Sequence, residues 1–198
     1  PFSPPTVLKR HYCPYSSTCT QAAHWTERPV ADDLWFAPAG YKLVPHSTKL
    51  AIDPVSGAQH FTTIARSASG TDYRVLTGFC TATEAECDRP ENWAVLELDA
   101  FPLTAVTQAF ADIAVRNGQV YVAYFSGTEM KLASCESSHL ECYRRDNWRT
   151  SAILFDMGLK APYVAGRLLS VSDSDRLAAG FATSSRFEVL FDGLSLPR

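Results

Sequence analysis

Closely spaced cysteines are the residues of this sequence with the most evident chemistry. They form three pairs, Cys13/Cys19, Cys80/Cys87 and Cys135/Cys142. His11 and His24 flank the first pair, and two cysteines with two histidines could hold a zinc ion. The other two pairs have no histidines at those flanking positions, so a zinc site would explain only one pair of three. A disulfide explains all three, and we therefore predict three disulfides and no metal site.

A tryptophan follows each cysteine pair at a fixed distance. Five residues separate the second cysteine from Trp25, Trp93 and Trp148, and an asparagine precedes the last two. The tryptophans lie 68 and 55 residues apart, which is the period of a repeated supersecondary unit. These tryptophans could be sugar-stacking platforms, but their fixed place in each unit favours packing between units.

Short β-rich segments separated by turn signals surround each cysteine pair. We predict strands at 49–53, 59–64, 73–80 and 93–98, at 112–116, 119–125, 130–135 and 148–155, and at 168–172, 177–182 and 187–191. Asn117-Gly118 between two of them is a hairpin signal. Asp53 and Asp173 are predicted to bond their own backbone in turns.

Repetition of four short strands per unit predicts an all-β fold, namely a β-propeller or a segment of one with four-stranded antiparallel blades. The chain holds about three blades: a partial blade at 1–48, blades at 49–100 and 111–156, and a partial blade at 167–198. Propellers usually close with about four to eight blades. We therefore expect a second chain, either another copy or the rest of a larger cleaved propeller.

The repeat closely resembles the cysteine-containing β-propeller repeats of secreted bacterial proteins. The resemblance rests on Leu50-Ala51-Ile52-Asp53, Gly57, Tyr73-Arg74-Val75, Cys80, Cys87 and Trp93. It implies architecture and export rather than an activity. The unit is also similar in layout to the Asp-box of sialidase-like propellers, but the Asp-box residues themselves are absent, so sialidase activity is not implied.

Composition excludes some classes of partner. The net charge is −3 and the sequence pI about 6.0, which gives no basic field for nucleic acid. No apolar segment approaches the roughly 18–20 residues of a transmembrane helix.

The cysteine usage indicates an oxidising compartment, either extracellular or periplasmic. A start at Pro1 without a methionine predicts a processed segment, and the terminal Arg198 fits a proteolytic fragment or a designed end.

Two insertions in the repeat, at about 31–48 and 66–72, indicate where a ligand could bind. In propellers the corresponding connections rim the same face of the central channel. Aromatic residues beside carboxylates on loops suit glycan or peptide recognition. The candidate binding residues are Asp32, Asp33, Trp35, Phe36, Tyr41, His46, Arg66 and Asp72. The alternative is that Trp35 and Phe36 only pack beneath the loop.

Motifs of catalysis are missing from the sequence. There is no nucleophile elbow, no zinc-protease helix and no phosphate loop, so we predict no catalytic residue and no cofactor. We expect a secreted binding module that recognises a glycan or a protein. The alternatives are a sialidase-like or other carbohydrate-active enzyme with its site on the channel face, and a purely structural interaction subunit.

Overall fold

The structure is a computed structural model, and a subset of the chain is described. The described residues are 7–13, 19–32, 37–45, 47–80, 86–87, 89–102, 110–116, 118–126, 129–135, 141–154, 163–171, 176–183 and 187–190. They form fourteen β-strands in four antiparallel sheets, together with three short 3-10 helices. The predicted all-β class is confirmed.

The strands follow one another along the chain, sheet by sheet. The first sheet contains β1 (Val7–Tyr12) and β2 (Thr26–Asp32). The second contains β3 (Tyr41–Leu43), β4 (Lys49–Ile52), β5 (Gln59–Ser67), β6 (Asp72–Cys80) and β7 (Trp93–Pro102). The third contains β8 (Ala111–Arg116), β9 (Gln119–Ser126), β10 (Glu129–Cys135) and β11 (Trp148–Leu154). The fourth contains β12 (Tyr163–Val171), β13 (Arg176–Thr183) and β14 (Phe187–Leu190).

Each sheet is an antiparallel meander, except that β3 and β4 of the second sheet do not pair with each other. The third sheet has the order β11-β10-β9-β8, and the second has β3-β5-β6-β7 with β4 also paired to β5. The predicted strands of both full units are present. The structure also contains a strand that we did not predict, β3, which lies inside the insertion at 31–48. Leu43 is buried while Lys42 is exposed, and this alternation gives the short segment a buried face that keeps it on the sheet.

The first strand of the second sheet is therefore split into β3 and β4. Both pair with β5, β3 with Ala65–Ser67 and β4 with Gln59–Thr62. Between them the Ser47 hydroxyl accepts a hydrogen bond from the backbone N–H of Ile64 over 3.1 Å and donates to the carbonyl of Val44 over 2.7 Å. A side chain thus replaces the backbone partner where the ladder is interrupted.

A repeated corner joins the third and fourth strands of three units. The disulfides Cys13–Cys19, Cys80–Cys87 and Cys135–Cys142 are present, and a 3-10 helix follows each, at Ala22–His24, Pro90–Asn92 and Arg145–Asn147. Cys80 pairs in register with Trp93, and Cys135 pairs with Trp148. The second cysteine of each pair lies in the connection, so the disulfide closes the corner rather than crossing the strands.

The main core lies between the second and third sheets. It combines buried side chains of both sheets: Ile64, Val75, Leu98 and Phe101 with Ile113, Val122, Tyr124 and Trp148. Asp99, whose side chain is partly buried, also bridges the two sheets. Oδ2 of Asp99 accepts hydrogen bonds from the Tyr124 hydroxyl over 3.1 Å and from Nζ of Lys131 over 3.0 Å. This pairing satisfies a carboxylate that would otherwise be costly to bury.

The first strands of successive sheets adjoin one another. Strand β8 contacts β4 and β5 of the second sheet, and it also contacts β12 of the fourth. The second sheet has another apolar cluster on its opposite face, with Leu43, Phe61, Leu76 and Trp93. Both faces of this sheet thus carry an apolar cluster.

Candidate functional site

A polar network crosses one face of the second sheet near the end where β5 turns into β6. Successive residues of a strand point to opposite faces, and the strand register places Tyr41, Asp72, Arg74 and Glu97 on the face that also carries Phe61 and Leu76. The four residues come from β3, β6 and β7. The network therefore depends on the pairing of the whole sheet rather than on one loop.

Hydrogen bonds join these four side chains in series. The Tyr41 hydroxyl donates to Oδ2 of Asp72 and accepts from Nε of Arg74 over 3.0 Å. Nη1 of Arg74 donates to Oε1 of Glu97 over 2.6 Å, which is a short charge-assisted bond. The Arg74 guanidinium also lies over the Tyr41 ring, 5.1 Å from its centroid.

Hydrogen bonds within the network favour the charged forms of Asp72 and Arg74. Hydrogen bonds from Ser67 and from Tyr41 hold the pKa of Asp72 below its ordinary value, and the nearby Arg74 charge lowers it further. Hydrogen bonds to Tyr41 and Glu97 raise the pKa of Arg74. The network thus combines one guanidinium with two carboxyl groups. All three charged side chains are about one-third exposed, at 30% for Arg74, 31% for Asp72 and 39% for Glu97.

Of the eight binding residues predicted from the sequence, the structure brings Tyr41 and Asp72 together. Arg66 lies at the same end of the sheet but pairs with Tyr73, which places it on the opposite face. Its guanidinium lies against Gly70 of the turn. Asp32 is the last residue of β2. The other four predicted residues lie outside the described part of the chain: Asp33, Trp35, Phe36 and His46.

Sequence reasoning missed Arg74 and Glu97 as members of this group. Arg74 follows Asp72 by two residues, so the two-residue period of a strand places both on one face, and this signal was available. Glu97 gave only a weak signal, as an acidic residue in the apolar segment Val95–Leu98. Its diagonal position relative to Arg74 depends on the register shift between Val75 and Leu76.

The first cysteine pair does not provide zinc ligands. Cys13 and Cys19 are joined by a disulfide, so neither sulfur is a free thiolate. His11 lies beside Glu27 on the neighbouring strand, with 3.7 Å between Nε2 and Oε2. Among the described residues there is no group of three or more metal-ligating side chains. In that same part of the chain, no helix has the length and apolarity needed to cross a membrane.

The repeated tryptophans have unequal exposure. Trp93 and Trp148 are buried, at 8% and 5% exposed, and Trp148 lies in the core between the second and third sheets. The predicted packing between units is therefore seen for Trp148, whereas Trp93 is buried in the apolar cluster of its own sheet. Trp25 is 46% exposed although it makes the same indole hydrogen bond as the others, to the carbonyl of Cys19 over 2.7 Å.

Comparison with protein-family models, with curated proteins and with solved structures finds no match for this chain. Its function must therefore be inferred from its own residues. Three disulfides in an all-β chain fit a protein that folds outside the cytoplasm.

Proposed function

We propose that this protein is an exported binding module built on β-propeller blades, and that it recognises a neutral, hydroxyl-rich ligand, a glycan, at the network of Tyr41, Asp72, Arg74 and Glu97. The adjacency of β4, β8 and β12, the first strands of successive sheets, supports the propeller arrangement. The observation that carries the binding proposal is the network itself, because it presents donors and acceptors at a half-open surface.

Preorganisation makes the network suitable for binding. Each side chain is held by at least one other, so little side-chain entropy remains to be lost when a ligand binds. Adjacent carboxylate and guanidinium groups can accept from and donate to neighbouring hydroxyls of one sugar ring. Leu43 and Leu76 lie on the same face but are buried, so they form an apolar support beneath the network.

The charge of the network indicates the class of ligand. Two carboxylates surround one guanidinium, so the positive charge is already neutralised and the local sum is negative. An anionic ligand such as a sialylated glycan or a nucleic acid would be repelled by this surface. A neutral oligosaccharide has hydroxyl groups for every member of the network and carries no opposing charge.

A glycan array probed with the full chain, followed by calorimetry on the best neutral oligosaccharide, tests the proposal. We expect Arg74→Ala and Tyr41→Phe each to weaken binding about tenfold or more, because each removes a hydrogen bond within a charged network. Arg66→Ala is the matched control, since Arg66 is an arginine at the same end of the sheet on the other face. Unchanged binding in Arg66→Ala supports the site.

Two results would overturn this proposal. One is the absence of binding to any neutral glycan at millimolar concentration, and the other is preferential binding of acidic glycans. If Arg66→Ala and Arg74→Ala weakened binding equally, the network would not be the binding site. Circular dichroism of each variant shows that the sheet is intact, so that loss of binding is not loss of folding.

A further inference from the structure

A buried amide lies on the same face of the second sheet as the polar network. Gln59 is 2% exposed, and in the part of the chain that the structure describes its Nε2 has no hydrogen-bond partner. Gln59 and Phe61 are two residues apart on β5, so their side chains share the face that also carries Tyr41 and Arg74. A buried N–H donor without an acceptor destabilises a fold, and this one therefore points to a partner that is not part of the chain.

The repeat shows that the fold does not need this amide. Gln59 pairs with Cys80 as Val120 pairs with Cys135, so Gln59 and Val120 occupy the same position in the second and third sheets. Val120 is 0% exposed and lies in the core between those sheets. The position accepts an apolar β-branched residue, and the carboxamide of Gln59 is therefore not required for packing.

The surroundings of the amide are apolar. Ile52 is the cross-strand neighbour of Gln59 in β4, and Leu50 lies two residues away on the same face. Ile52 is 53% and Leu50 is 51% exposed, and the buried rings of Phe61 and Trp93 belong to the apolar cluster of this face. A ligand group that reaches the amide must therefore combine a hydrogen-bonding part with an apolar part.

We propose that the glycan bound by this face contains N-acetylated sugars, and that one of their acetamido groups pairs with Gln59. The carbonyl of an acetamido group accepts from Nε2, its N–H donates to Oε1, and its methyl group packs on Ile52. Because Ile52 is half-exposed, a change of its rotamer opens the way from solvent to the amide. The inference rests on the proposed function and names the class of sugar.

The distance between the amide and the network sets the length of the ligand. Arg74 lies opposite Ala65 in the strand register, six residues along β5 from Gln59, which is about 20 Å. Thr63 lies between them on the same face, with its hydroxyl 2.8 Å from that of Thr48. A single sugar ring cannot reach both Gln59 and Arg74, whereas an oligosaccharide that lies along the strands can.

Chitotetraose and cellotetraose test the proposal, because they share linkage and length and differ in having an acetamido or a hydroxyl group at C2. Calorimetry on the full chain should give an affinity for chitotetraose that is about tenfold higher or more. In Gln59→Val the two sugars should bind equally, whereas Arg74→Ala should weaken both and leave their ratio unchanged. Gln119→Ala is the matched control and should keep the wild-type ratio, because the Gln119 amide already accepts a hydrogen bond from the Tyr121 hydroxyl.

Folding of the variants is checked by thermal unfolding. Gln59→Val should melt at or above the temperature of the wild type, because Val120 fills the equivalent position. Ile52→Ala is a second variant at a half-exposed position, so it should fold. It should lower the ratio of the two affinities, because it removes the contact with the acetamido methyl group.

The outcomes separate this inference from the proposed function. Equal affinity of the wild type for the two sugars would overturn the inference and leave the proposed function standing, whereas absence of binding to any neutral glycan would reject both. A preference for chitotetraose that survives in Gln59→Val would show that the acetamido group is recognised elsewhere. Stronger binding of a peptide such as tetraalanine than of chitotetraose would assign the amide to a peptide backbone and would equally reject the inference.

Discussion

The indole Nε1 of Trp148 donates a hydrogen bond to the backbone carbonyl of Cys142 over 2.8 Å. Trp93 makes the same bond to Cys87 over 2.9 Å. In these two units the first cysteine lies opposite the tryptophan in the strand register, and the backbone carbonyl of the second cysteine accepts the indole hydrogen bond. The constant spacing of cysteine and tryptophan therefore has a geometric cause, because one extra residue would move the carbonyl away from the indole.

Replacing Trp148 with phenylalanine should remove this bond and leave a cavity in the core. We expect the free energy of unfolding to fall by about 2–4 kcal/mol. Trp25→Phe is the matched control: it loses the same bond, but its ring is 46% exposed, so the expected cost is below about 1 kcal/mol. Urea unfolding of both variants makes the comparison, and equal losses would show that burial between the sheets contributes nothing.

The three disulfides should open in a defined order under mild reductant. Cys19 is exposed and Cys13 half-buried, whereas the other four cysteines are at most 3% exposed. Attack by a thiolate requires access to the sulfur, so Cys13–Cys19 should be reduced first. Alkylation at timed intervals followed by peptide mass analysis gives the order. Simultaneous modification of all three pairs would mean that the chain opens globally before any disulfide reacts.

Gly78 should tolerate no side chain. A Cβ at this position would clash with Cε1 of Phe61, whose ring is buried beside Trp93. Gly78→Ala should therefore destabilise the chain by about 1–3 kcal/mol, through displacement of that ring. Gly57→Ala serves for comparison, because Gly57 has φ of 73° and open space around it. This substitution should lower the free energy of unfolding by about 1 kcal/mol through backbone strain alone. Thermal unfolding measures both, and a smaller loss at Gly78 than at Gly57 would contradict the close contact.

Acid should remove the contribution of Asp72 to stability. The pKa of Asp72 is lowered in the folded chain from its ordinary value of 3.8, so its stabilising effect is complete above that value and disappears as the pH falls through the folded pKa. The stability difference between the wild type and Asp72→Asn should be constant near neutral pH and shrink below pH 3.8. Melting temperatures of the wild type and of Asp72→Asn, measured between about pH 2 and pH 7, test this expectation. A difference that does not change with pH would exclude the ionised form of Asp72 as its source.

Much of the fold could be predicted because the sequence repeats. Strand positions, the disulfides and the burial of Trp93 and Trp148 all follow from the spacing of cysteine and tryptophan and from β-rich segments between turn residues. The turn at Asp53 was also predicted, and its carboxylate accepts a hydrogen bond from the backbone N–H of Val55 over 3.0 Å. These are local properties, and a repeat presents each of them more than once.

The remaining features depend on contacts that a local pattern does not contain. Strand β3 is only three residues long and is held by its pairing with β5, so no periodicity in the sequence could reveal it. Glu97 meets Arg74 through a register shift in the partner strands. Trp25 is 46% exposed, although its position in the repeat is the same as that of the buried tryptophans.

The interruption at Ser47 leaves this side of the second sheet without a long continuous edge. An exposed sheet edge templates the addition of a foreign strand when it offers a long, continuous row of backbone groups. Here the outer row consists of three residues in β3 and four in β4, with a serine side chain occupying the gap. An incoming strand would find no continuous ladder to extend. The same gap is a natural place for the chain to accept inserted residues, because lengthening the connection between β3 and β4 breaks no strand pairing.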